Sequence, residues 1–505
     1  MKIAGLDIGT TGCKCTVFDE KGKYLGKSYR DYPVKRQTGR HEIDMSVLRE
    51  SVVEVVSEMA GKYPDIAGLG VTSFGETFVL TDEAGDPLDA AMLYTDPRGS
   101  KECRELVEKL GEKTIAHITG VRPHEMYSIC KLMWIKDHKP DLYKAARHAF
   151  QVEDFIVFTF SKVSQIDYSL ATRTMAFDIE KLDWSREIFD AAGIDTELFS
   201  RPVPSGTAAG KITAQMASLT GLSPDTLIVS ISQDQVAAAV GAGAFTSDAA
   251  VDGAGTVECM IPIYDKRPDI DKLYDGYFVT VPYVIPGKYV TYAFSYTGGA
   301  LIQWCTENLA KKEKLLAKEQ GISVNELLEK EYADKMAHLG MRADEPSGLL
   351  VLPHFAGAAT PYMDTGSKGA IVGLTTDTSV GEIYMACLEG VCYEMYLIYQ
   401  KLKDTGIKYE HFNATGGGAH SAVWMQMKAD ILGVPFTALK TVDSGTVGCA
   451  MLTGISVGVF KDLKDAAGHM VEENVTYRPR EDQHARYMEI YERYKKLYEA
   501  VRPLV

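Results

Sequence analysis

A Gly/Thr turn between two apolar strand patterns occurs twice in this chain of 505 residues. The first is DIGTTG, residues 7–12, between KIAGLDI and KCTVFD. The second is DGAGT, residues 252–256, within SDAAVDGAGTVECMIPI. Each turn opens a β-meander that passes into alternating strand and helix. In the first half, residues 46–60 carry apolar side chains at helical spacing, with Ser46 as the expected N-cap, and residues 66–72 read as a strand. In the second half, a strand over 287–297 precedes a helix in GGALIQWCTENL, and a long helix covers 380–402. HFNATGGGAHSAVWMQMKADIL then reads as strand, Gly-rich turn and helix. Such a repeat predicts an α/β protein of two lobes from an old duplication, residues 1–245 and 246–505. Each lobe is expected to carry a mixed five-stranded sheet with flanking helices.

These turns also have chemical use. Glycines let the backbone approach a phosphate, and successive N–H groups form an anion nest to which Thr hydroxyls add donors. One such turn is equally well a good hairpin. Two, each at the front of a lobe, can grip a polyphosphate from both sides. TGGGAHS, residues 415–421, adds a flat glycine surface for an adenine ring and a helix start suited to phosphate. No P-loop is present: GKYLGKS, residues 22–28, is one residue short and lies between strand patterns, so it reads as a hairpin. No G-x-G-x-x-G follows a strand.

Composition narrows the partners. A formal charge of −15 repels phosphate backbones, so nucleic acid is not expected. The nine cysteines contain no CxxC pair and read as reduced, mostly buried thiols. Cys13 and Cys15 lie two apart on a strand and point the same way. The N-terminus lacks the apolar run of a secretory signal, and no window approaches a membrane span, so a cytoplasmic protein is expected. The charged stretch ENLAKKEKLLAKEQ reads as a solvated helix, and the last residues as an amphipathic helix whose tyrosines pack on the body.

In LIVSISQDQVAAAVGAG, an apolar strand ends at Gln233-Asp234-Gln235 and a small-residue helix begins. A carboxylate there either faces a cleft or caps the helix, and spacing alone leaves both open.

Together these motifs resemble the FGGY carbohydrate kinases, within the actin-like superfamily, over nearly the whole chain. MYSICKLMWIKDH (126–138) is similar to the family's first signature, and GAIVGLTTDTSVGEIYMACLEG (369–390) to its second apart from Cys387. GGALIQW (298–304) and ATPYMD (359–364) also read like family segments. The resemblance implies two actin-like, ribonuclease H-like ATPase lobes around a central nucleotide cleft, with ATP and Mg²⁺ as cofactors. It implies Asp234 as the base that takes the proton of the attacking hydroxyl, with Asp7 and Asp234 near the metal. Thr10, Thr11, Lys14, Gly255, Thr256, Gly299, Gln303, Gly417, Gly418 and Ser421 would hold the nucleotide. Glu76, Asp96, Arg98, Asp234 and Gln235 would meet the sugar. Glu76 and Gln235 match the glycerol kinases, but Gly75 and Met126 stand where those carry Arg and Tyr. His420-Ser421 is closer to the xylulokinase pattern, whereas YTDPRG (94–99) departs from it at Tyr94. A pentulose such as xylulose is therefore the expected substrate, ahead of a polyol, gluconate or a deoxy-ketose. A homodimer and a non-catalytic ATP- or sugar-binding role stay open. A chaperone of the superfamily would need a further β-rich domain, and a repressor-type kinase a zinc-binding Cys cluster.

Overall fold

The computed structural model describes residues 1–440 and 443–505. Its first sheet is built on β1 (Lys2–Ile8), β2 (Gly12–Asp19) and β3 (Tyr24–Asp31), an antiparallel meander. Helix α1 (Met45–Lys62) follows and buries Leu48, Val52, Val55, Val56 and Met59 on one face. Its N-cap is Asp44, whose carboxylate accepts from Ser46 N at 2.9 Å, not Ser46 as the sequence pattern predicts. A carboxylate two residues earlier reaches the free N–H groups of the first turn, so the helix starts sooner. Strand β4 (Ile66–Ser73) lies parallel to β1. The helices α2 (Ser128–His138) and α3 (Tyr168–Thr172) come next, and β5 (Leu227–Gln233) pairs parallel with β4 before α4 (Asp234–Gly241).

The second sheet repeats this order. Strands β6 (Ala249–Ala254), β7 (Glu258–Tyr264) and β8 (Ala293–Ser295) form the meander. Helices α5 (Gly299–Asn308) and α6 (Val380–Asp404) follow. Strand β9 (His411–Thr415) runs parallel to β6, α7 (Ala422–Leu432) follows it, and β10 (Phe436–Leu439) runs parallel to β9. Helix α8 (Ser444–Ser456) ends the repeat. So each half contains three antiparallel strands followed by two parallel ones. The expectation of five strands per sheet needs correction, because short strands extend both edges. Thr207–Lys211 makes the first sheet six-stranded, and Val281–Pro282, Tyr289–Val290 and Glu473–Tyr477 make the second eight-stranded.

Helix α8 belongs to the second half in sequence but packs on β1, β4 and α4 of the first. It crosses α4 where glycine faces backbone. A Cβ on Gly241 would fall 1.9 Å from the Ser444 carbonyl oxygen, and one on Gly448 1.9 Å from that of Ala237. No other residue permits this approach without moving a helix. All nine cysteines are unpaired and buried. The terminal helix at Glu481–Tyr494 buries Tyr487, Tyr491 and Tyr494 against the body. Among the described residues, no helix is long and apolar enough to cross a membrane.

Candidate active site

Three parallel strands of the first sheet end side by side. Ile8 on β1 is in register with Ser73 on β4, and Ser73 with Gln233 on β5. The residues that leave these ends therefore converge on one edge: the turn 9–12, then Gly75-Glu76, then Asp234. The carboxyl ends of adjacent parallel strands are where open α/β sheets bind ligands.

Asp234 is the first residue of α4, and its side chain is half-buried. The cap is Gln233, whose side-chain oxygen accepts from Gln235 N at 3.0 Å. The Asp234 carboxylate also accepts from Gln235 N, at 2.7 Å, and from the Gln233 side-chain amide. Helix capping therefore does not depend on Asp234. Burial, and then the neighbouring Asp7 carboxylate, push its pKa up to about 7, while Gln235 N–H and the Arg173 guanidinium act the other way.

Asp7 sits opposite Lys14 on the β1–β2 hairpin. Lys14 Nζ lies 3.5 Å from Asp7 and 2.7 Å from Asp443, so this cation bridges two carboxylates. Burial raises the Asp7 pKa against the pull of Lys14. Thr10 is half-buried and Thr11 exposed at the hairpin tip, where Gly9 N donates to Gly12 O at 2.9 Å.

Glu76 has φ of 63°, in the left-handed region that a residue with a side chain seldom adopts. Ser128 Oγ donates to its carbonyl at 2.8 Å and holds that peptide. Its carboxylate is paired with Arg173, a buried residue just after α3. Sequence reading missed Arg173, because its partner lies 97 positions away and no local pattern marks it. Asp96 and Arg98 are placed differently from Glu76. Each Asp96 oxygen accepts two hydrogen bonds, Oδ1 from Arg98 N and Nε, Oδ2 from His41 N and Arg98 Nη2. Arg98 also reaches Glu42 at 2.6 Å and lies over the Trp134 ring. Burial disfavours the charge on Asp96, but Arg98 and the backbone donors outweigh it and hold its pKa low. These bonds brace the pair within the fold, and Arg98 Nη1 is left without a hydrogen-bond partner among the described residues. Lys131, fully buried, donates to the Glu125 carbonyl at 2.5 Å, and burial pushes its pKa down to about 8.

On the second lobe, a cavity of about 570 Å³ is lined by Gly255, Thr256, Gly299, Gln303, Gly417, Gly418 and Ser421. That is within the size range of small-molecule sites. The α5 N-terminus docks on the β6–β7 turn, with Gly299 N donating to Gly255 O at 2.9 Å and Ala300 N to Thr256 O at 3.1 Å. Beside Gly417 a Cβ would meet open space. Ser421 caps α7 by accepting from Trp424 N at 3.1 Å. Asp252 of the DGAGT turn faces inward to Lys428 at 2.7 Å, which also meets Glu258. Among the described residues, no group of three His, Cys, Asp or Glu could hold a metal ion. Asp7 and Asp234 are two carboxylates whose like charges repel each other, which suits a Mg²⁺ that takes one or two carboxylates plus phosphate oxygens.

Comparison with known proteins accords with this arrangement. The profile of the FGGY family of carbohydrate kinases, N-terminal domain, matches residues 2–241, and that of its C-terminal domain residues 254–457. A xylulose kinase of Staphylococcus epidermidis is 24% identical, covering 99% of this chain and 96% of its own. A glycerol kinase of Caldanaerobacter subterraneus is 30% identical, covering 92% of this chain and 91% of its own. The structure of a ligand-bound xylulose kinase from Lactobacillus acidophilus superposes with a TM-score of 0.87 at 23% identity, covering 99% of this chain and 98% of that one. The two-lobed fold and the two family profiles, which together match most of the sequence, lead to one assignment: the chain belongs to the FGGY family of carbohydrate kinases.

Proposed function

We propose that this kinase transfers the γ-phosphoryl group of ATP to a hydroxyl of a pentulose such as xylulose. The observation that carries the reading is the edge where Asp7, Glu76 and Asp234 lie at or just past the ends of three neighbouring parallel strands. ATP would lie with its adenine in the cavity beside Gly417 and Gly418 and its phosphates between the turns at Thr10-Thr11 and Gly255-Thr256. Phosphoryl transfer asks the protein mainly to position groups and neutralise charge. Asp234 orients the sugar hydroxyl and takes its proton late, and a pKa of about 7 suits a base working near neutrality. Asp7, with Asp234 beside it, would hold the Mg²⁺ that neutralises the phosphate oxygens. Glycerol is disfavoured although a glycerol kinase is the more identical relative, because Gly75 and Met126 remove the Arg and Tyr of that subgroup. The test is ADP release against D-xylulose, D-ribulose, glycerol and D-gluconate. Highest kcat/KM on a pentulose is expected, and preference for glycerol would reverse the assignment.

A further inference from the structure

Arg173 is a buried cation whose charge acts on Asp234. Its side chain is 9% exposed, and its Nε and Nη2 face Glu76. Its Nη1 has no hydrogen-bond partner among the described residues. The Tyr127 and Tyr292 ring centroids lie 5.2 and 5.6 Å from the guanidinium carbon. The Tyr292 hydroxyl is also buried without a partner among the described residues. Buried donors are nearly always satisfied, and a charged one left open is costly. Two unpartnered groups on neighbouring side chains, one of them a cation whose charge acts on Asp234, mark a spot suited to a polar ligand.

The neighbouring backbone is arranged around this side chain. A Cβ on Gly75 would sit 2.9 Å from Arg173 Cγ and 3.1 Å from its Cβ. Any residue but glycine at 75 therefore pushes Arg173 away from its present position. The next residue, Glu76, is held at positive φ, and that conformation turns its carboxylate onto the guanidinium.

Resting on the kinase reading above, we propose that Arg173 is a specificity-determining residue that reads, with Glu76, two adjacent oxygens of an uncharged sugar. Nη1 donates to one oxygen, and the Glu76 carboxylate accepts from the hydroxyl beside it. A guanidinium can only donate and a carboxylate can only accept, so the pair matches vicinal oxygens of opposite role. The pair is also charge-balanced. Glu76 cancels Arg173, and Asp7 and Asp234 add negative charge nearby. An aldonate carboxylate would meet net repulsion, so the pocket selects neutral ketoses.

The test is steady-state kinetics of the full chain and of Gly75→Ala, Arg173→Lys and Glu76→Gln, with D-xylulose, D-ribulose, glycerol and D-gluconate. Circular dichroism and KM for ATP report on folding and the nucleotide site. Gly75→Ala displaces the guanidinium without removing its charge, and Arg173→Lys keeps the charge but loses the fork. Each is expected to raise KM for the preferred neutral sugar about 10-fold or more, with KM for ATP within about twofold, as for loss of a charge-assisted hydrogen bond. Glu76→Gln leaves Arg173 unbalanced and is expected to move the gluconate-to-ketose ratio of kcat/KM at least about tenfold toward gluconate. Folded Gly75→Ala and Arg173→Lys variants with unchanged sugar KM would overturn the inference, as would an unmoved ratio in Glu76→Gln. Those results leave the kinase reading standing. A wild-type chain that turns over none of the four compounds removes that reading and this inference with it.

Discussion

Asp234 separates two physical demands at a single residue. Its burial beside Asp7 raises its pKa from 3.8 to about 7, so the folded protein pays to ionise it. Catalysis needs the ionised form. kcat/KM should therefore rise with pH through about 7 and level off above, and a flat profile between pH 6 and 8 would exclude Asp234 as the base. Asp234→Asn keeps the shape but cannot take a proton, so kcat should fall about 10²–10⁴-fold with little change in ATP affinity. The same substitution should stabilise the unliganded protein. The folded state holds a proton on Asp234 that the unfolded state has released between pH 3.8 and about 7, so stability is lost as pH rises through that window. The Tm gain of Asp234→Asn should grow across the window and stay flat above it. Near-normal turnover in this variant would leave Asp234 a bystander. The places of Asp7, Asp234 and the glycine turns at strand ends were legible in the sequence as local patterns, whereas the reading of Asp234 as a base and not a cap came from the family resemblance. Arg173 was not legible, because the contact that gives it meaning is made across the fold to Glu76.

At the scale of elements, the two Gly/Thr turns look alike in sequence but are anchored differently. On the first hairpin, Asp7 stays at the cleft with Lys14. On the second, the corresponding Asp252 is fully buried, and Lys428 of α7 spans it and Glu258. This buried triad fixes the β6–β7 turn to the helix that follows the TGGGAHS segment. It thereby sets the distance between the proposed phosphate and adenine contacts. No local pattern predicts it, since Lys428 and Asp252 are 176 positions apart. Removing the cation leaves two buried carboxylates without a partner, which typically costs about 3–5 kcal/mol. Lys428→Met should lower Tm by several degrees and raise KM for ATP more than KM for sugar. Equal change in both would mean that the triad supports only the fold. Gly417→Val acts on the same segment without touching the triad. A Cβ at 417 meets open space, so folding should survive, while a branched side chain fills the cavity. ATP binding should weaken with sugar binding retained, as calorimetry with each ligand alone would show. The edge strand Val281–Pro282 escaped sequence reading for a simpler reason: two residues carry no periodicity.

For the whole molecule, the division of labour between lobes makes closure the expected motion. Asp234, Glu76 and Arg173 lie on the first lobe, and the cavity assigned to adenine lies on the second. Transfer in line requires the two to approach, and excluding water prevents loss of the phosphoryl group to hydrolysis. The short connection near residue 245, between α4 and β6, is the proposed hinge. The crossing of α4 and α8 sits beside it, and its two glycines let the helices pass at backbone contact. Saturating sugar should therefore reduce the radius of gyration measured by small-angle X-ray scattering, and an ATP analogue added with the sugar should reduce it further. Gly448→Ala places a methyl group against the Ala237 carbonyl oxygen and forces the helices apart. In this variant the sugar-induced compaction should shrink and kcat should fall, while sugar affinity, set by residues of the first lobe, should change less. Scattering curves of the wild-type chain that superimpose with and without its best substrate would show that the lobes are already closed, and the hinge would then have no part in turnover.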